Sequence, residues 1–129
     1  MFESLAARTA HQAERSGNFE LWAWFFMRVS GVILLLMVLF HLFWMHFVIG
    51  VENINFAVVA ERWENPLWRI YDLFLLIFAW THGANGMRYI IEDYVHAPGW
   101  RVTLKTVLLL LYFALISMGA YVIFTFRAP

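Results

Sequence analysis

Residues 107–126, VLLLLYFALISMGAYVIFTF, run for twenty positions without a charged side chain. A helix of that length rises about 30 Å, the hydrocarbon thickness of a bilayer. A second run, Val29 to Ile49, VSGVILLLMVLFHLFWMHFVI, is broken only by two histidines. Backbone groups facing lipid must be satisfied within their own segment, so such runs cross a membrane as α-helices. In a chain of 129 residues little is left over for a soluble core. Composition agrees: 63% of residues are hydrophobic and 14% charged, against about 45–50% apolar in soluble domains.

A third region, from about Leu67 to Tyr94, has a shorter uncharged centre, Leu73 to Met87, flanked by Asp72 and Arg88. The expected fold is therefore an all-α membrane protein with three transmembrane helices, at about 21–49, 67–95 and 102–126. Residues 1–20, which mix Glu3, Glu14 and Glu20 with Arg8 and Arg15, read as a cytoplasmic N-terminal arm, with an interfacial helix leading into helix one as the alternative form, rather than a cleaved signal. Helix one is expected to begin near Glu20. Arg8, Arg15, Arg28, Arg88, Arg101 and Lys105 fall on one side, and Arg62, Arg69 and Arg127 on the other. That excess places the N-terminus inside.

Net charge is zero, which offers nothing to nucleic acid, and cysteine is absent. Disulfides, thiolate metal sites and iron–sulfur ligation by this chain are excluded. In the first loop Asn65 caps a helix that opens at Pro66, and INFAVVAERW reads as a short amphipathic helix on the membrane surface. In the second loop Pro98 and Gly99 signal a turn and Trp100 an interface. Three spans leave much polar surface without a partner, which calls for other subunits or further copies.

The stretch WTHGANGMRYIIEDYV, residues 80–95, holds the chemistry. On a helix His82, Asn85, Gly86, Tyr89 and Asp93 share a face, with His82 inside the membrane and Tyr94 about 18 Å further along, at the inner surface. Polar groups within a span usually mark a pathway or a site. Two readings of His82 stand side by side. In one it hydrogen-bonds a neighbouring helix while Gly83 and Gly86 aid packing and Arg88 reaches to the interface. In the other its neutral imidazole is an axial ligand to haem iron and the glycines make room for the porphyrin. His41 lies about 28 Å in from Trp22, too far along to share an iron with His82. It is a candidate ligand for a second, outer haem completed by a partner chain. His46 reads as an interfacial residue, and His11 and His96 are given no role. Arg28 is either an anchor at the interface or a partner for a cofactor carboxylate. Tyr94 beside Asp93 has the groups to donate a hydrogen bond to a quinone carbonyl and relay protons.

RVSG at the start of helix one, HGANGMRYIIEDYV closing helix two and a plain apolar third helix together resemble the smaller hydrophobic membrane-anchor chains of succinate dehydrogenase, over about Leu21 to Phe126. The most specific element is histidine, glycine four later, and an Asp-Tyr pair eleven and twelve later. The resemblance implies a cytochrome b subunit of respiratory complex II in the bacterial cytoplasmic membrane. Such a chain pairs with a second three-helix anchor subunit and docks the flavoprotein and iron–sulfur subunits at the inner face. It implies that His82 faces haem b between the anchors, that Tyr94 with Asp93 contacts quinone, and that Arg28 lies near haem propionates. His41 matches first-helix histidines that bind an outer haem in two-haem members. The succinate-oxidising site would lie elsewhere, since this chain has no glycine-rich nucleotide motif. A haem-free structural anchor and the anchor of a quinol:fumarate reductase are the alternatives; a small transporter fits poorly, because the charges cluster at the span ends.

Overall fold

The structure, a computed structural model, describes residues 2–127, with side chains from residue 17 onward. Four α-helices run in order: α1 (Phe2–Phe43), α2 (Phe56–Arg62), α3 (Pro66–Tyr94) and α4 (Pro98–Thr125). No strand occurs among the described residues. Between α1 and α2 the chain continues as a π-helix, Trp44–Gly50, and a single 3₁₀ turn, Val51–Asn53. Gly50 ends the π-helical stretch at φ +86°. That backbone conformation favours glycine; a Cβ there would also displace the Glu52 carboxylate, 2.7 Å away, which its flexible side chain can accommodate.

Helix α1 begins far earlier than the sequence suggested. The backbone is helical from Phe2 through Glu20 and onward into the apolar run without a break. Ala, Glu, Gln and Arg in the first twenty residues are good helix formers, and polarity alone does not end a helix. The side chains of residues 2–16, including His11, lie outside the described part. Helix α3 follows the expectation within a residue at each end. Asn65 caps it by accepting from the Leu67 amide at 2.9 Å, and Pro66 occupies its first turn. Asn55 does the same for α2, accepting from Val58 at 3.1 Å. Helix α4 starts four residues before the expected position, because Pro98 is its first residue and not part of a turn. Proline there gives up an amide that has no helical partner in any case.

Helix α3 is the middle element, packed against α1 on one side and α4 on the other. Gly119 lets α4 approach Leu76 so closely that a Cβ would come within 2.6 Å of its Cδ2. The orphan carbonyls at the end of α4 are taken up by Arg69 of α3, which donates to Ile123 O and Phe126 O as well as to Trp63 O. Only a few side chains are sealed inside, among them Ala23, Ile91, Ile123, Ser30 and Asp72. Leu36, Leu110 and Met118 are among the many large apolar side chains that stay exposed. In water such a surface would aggregate; in lipid it is matched to its solvent. Gly17–Asn53 and Pro98–Thr125 are each long and apolar enough to cross a membrane. Helix α3 has the length, and it carries the charges.

Candidate functional site

Midway along their packed faces, α1 and α3 are joined by a polar contact between Ser30 and His82. Ser30 is completely buried, and its Oγ lies 2.9 Å from His82 Nδ1. Gly31 follows; a Cβ on it would sit 3.5 Å from His82 Cε1, so the imidazole ring rests on the glycine backbone. Met27 packs against Gly86 one turn further in, and Asn85 Nδ2 reaches Ala23 O at 3.5 Å. Much of the shared polar face of α3 thus meets α1. Gly83 lies off this seam, with open space where a Cβ would be. The Ser30 hydroxyl can accept or donate. When Nδ1–H donates to it, the lone pair of Nε2 is left available, and that nitrogen is not among the sealed atoms without a partner.

Towards the C-terminal end of α3, Arg88 is bound on two sides. Its Nη1 donates to Glu20 of α1 at 2.9 Å and to Glu92 at 3.2 Å, and Lys105 of α4 pairs with the same Glu92. Three helices are tied by one chain of alternating charges. The expectation for Arg88 did not include the ion pair with Glu20, since spacing along α3 carried no information about α1. Asp93 and Tyr94 stand beyond this clasp, and the Tyr94 side chain is 79% exposed. Arg28 is exposed on α1, its guanidinium stacked 3.8 Å from the Trp24 ring centroid. Among the described residues neither Tyr94 nor Arg28 is brought against His82.

At the opposite end His41 enters a buried cluster the sequence did not disclose. Asp72 of α3 is sealed inside and pairs with Arg62 of α2. It also accepts from Trp63 Nε1 at 2.6 Å. His41 Nδ1 lies 3.7 Å from the other carboxylate oxygen, and the imidazole stacks nearly parallel to Tyr71 at 6.4 Å. Tyr71 in turn donates to Met37 O of α1. The signal available beforehand was Asp72 itself, an acid within an apolar run, which reads as an end marker until α2 folds back over it. His46 is exposed beside Phe47, as an interfacial residue would be.

His41 Nδ1 is buried without a hydrogen-bond partner. The donor set at His82, by contrast, an imidazole whose Nδ1 is partnered by Ser30, suits ligation of a haem. It does not suit a metal caged by this chain alone: no group of three His, Cys, Asp or Glu side chains converges among the described residues.

Long apolar helices and charges gathered at helix ends define an integral membrane protein of the helical anchor type. The sequence matches the family described as succinate dehydrogenase/fumarate reductase transmembrane subunit over residues 6–121, and the chain belongs to that family. It is similar to the succinate dehydrogenase hydrophobic membrane anchor subunit of Rickettsia felis, 27% identical over 115 residues, covering 89% of each chain. The subunits of the same description from Rickettsia typhi and Rickettsia prowazekii are 27% and 28% identical over 104 residues, covering 80% of this chain and 78% of theirs.

Proposed function

We propose that the chain is the smaller anchor of a succinate:quinone oxidoreductase, crossing the membrane three times with its N-terminus inside, and that it helps to hold haem b and quinone. The observation that carries this reading is the Ser30–His82 pair, a buried hydroxyl fixing one imidazole nitrogen and leaving the other available. Helix α3 is the third span; its charges pair within the protein, which lowers the cost of placing them at membrane depth. A second anchor subunit covers the open side beside Gly83 and supplies the opposing iron ligand. Flavoprotein and iron–sulfur subunits dock at the inner end, near Tyr94.

Haem b, when bound, would supply a one-electron store, held on this chain by His82. The chain's own residues do the following. Ser30 accepts the Nδ1 proton of His82 and holds the tautomer. Arg28, exposed and steadied by Trp24, is free to meet a propionate. The Tyr94 hydroxyl donates to a quinone carbonyl, and Asp93 beside it takes part in delivering protons from the inner side. His41 is offered to a second, outer haem, its Nδ1 lying 3.7 Å from Asp72 without a hydrogen bond between them. The reverse direction, quinol oxidation coupled to fumarate, uses the same contacts.

One observation favours a haem-free anchor: His82 already has a hydrogen-bond partner and a packing surface within the chain. The reduced-minus-oxidised optical spectrum of the native complex separates the two. A b-type signal that is altered or lost in His82→Ala supports ligation. A native complex without that signal, or one unchanged by the substitution, rejects it and leaves the anchoring role intact.

A further inference from the structure

Where α2 meets the end of α4, two depressions adjoin and share the Trp63 side chain. One, of about 590 Å³, is polar, lined by Glu64, Arg69 and Arg127 beside Trp63. The other, of about 580 Å³, is an apolar groove formed by Ile54, Phe56, Val59, Val122 and Phe126. Their common wall is rigid. Trp63 is buried, its Nε1 is bound to Asp72 at 2.6 Å, and Phe126 meets its ring edge-on at 5.8 Å. The Arg69 guanidinium lies 5.9 Å from the same ring and spends three of its five N–H groups on backbone carbonyls. Two N–H groups remain.

We propose that these two depressions together bind one phospholipid with a phosphoethanolamine head. The phosphate lies between Arg69 and Arg127, the ammonium donates to Glu64, and an acyl chain follows the groove under Phe56. Both signs of charge and an adjoining apolar track are what a zwitterionic amphiphile needs. A glycerol head offers no cation to Glu64, and a choline head offers no N–H donor. The site stands at an end of a helical membrane protein, where phospholipid is the surrounding solvent. Phe56, 83% exposed on α2, is placed to enter that layer.

The test uses the whole complex, reconstituted in bilayers of equal parts phosphatidylethanolamine, phosphatidylcholine and phosphatidylglycerol, then released for native mass spectrometry. Lipid retained per complex is compared between the unaltered protein and two variants. Glu64 and Arg127 are both exposed, so neither substitution disturbs a packed core. Arg127→Gln is expected to lower retained phosphatidylethanolamine about tenfold, the effect of one lost charge-assisted hydrogen bond. Glu64→Gln is expected to turn the preference towards phosphatidylglycerol, because the ammonium loses its partner and the pocket gains net positive charge. Equal retention of the three lipids, or a preference that neither variant moves, overturns the proposal. So does a density map of the complex with polypeptide from another subunit lying in the groove.

Discussion

A histidine inside a membrane helix can serve as a packing group or as a ligand, and Ser30 is the residue that separates these roles experimentally. If the hydroxyl only fills space, Ser30→Ala removes one hydrogen bond and lowers stability by about 1 kcal/mol. If it holds Nδ1–H, losing it also makes Nε2 a weaker electron donor to iron. The ferric state is then less favoured, and the haem midpoint potential rises. Redox titration of the Ser30→Ala complex should show that rise; an unmoved potential with normal haem content assigns the pair to packing. Tyr94 allows a cleaner separation, since its side chain is exposed and touches no core. Tyr94→Phe should slow quinone reduction several-fold while reduction of a soluble acceptor by the same complex continues. Equal loss of both rates points to faulty assembly. The sequence revealed a histidine, His82, within an apolar run. It did not reveal that Ser30 is its neighbour, because periodicity along each helix says nothing about how two helices are rotated against each other.

The start of α3 was legible because its signals are local: Asn65 and Pro66 act within a turn of where they stand. The Asn55 cap of α2 was not foreseen, and Pro98, read as a turn, opens α4. The N-terminal arm and the first span form one continuous helix, where separate elements were expected, because nothing in the polar composition of the arm stops a helix. Elements joined by distant pairs were the hardest to foresee. Asp72 resembles a charge marking the edge of a span, and only when α2 folds back does it become the buried partner of Arg62 and Trp63. Arg62 and Asp72 are both about nine-tenths buried, so removing one leaves the other an uncompensated charge. Asp72→Leu should therefore destabilise the protein by about 3–5 kcal/mol, and adding Arg62→Leu should recover a good part of it. Thermal unfolding of the detergent-solubilised complex measures this. A double variant as unstable as the single one would mean that Asp72 acts through Trp63 or His41, not through charge balance.

For the molecule as a whole, orientation in the membrane is open to direct measurement, and the chain is well suited to it. It contains no cysteine, so a single introduced thiol is an unambiguous reporter. Three crossings with the N-terminus inside place the α1–α2 connection outside and the short α3–α4 connection inside. The excess of basic residues near the N-terminus and the α3–α4 end supports that sense, as does the Glu20–Arg88–Glu92–Lys105 clasp, which gathers α1, α3 and α4 at one end. Glu52 and Gly99 are exposed positions in or beside the two connections, and neither lies against the packed helices. In intact cells Glu52→Cys should react with a membrane-impermeant maleimide, and Gly99→Cys should react only after the membrane is opened. The reverse pattern would put the soluble catalytic subunits on the far side from Tyr94 and remove the quinone assignment. Labelling of both positions from outside would mean that α3 does not cross. Its charges would then be ordinary surface groups, and His82 would lose the low-dielectric setting that makes an iron ligand of it.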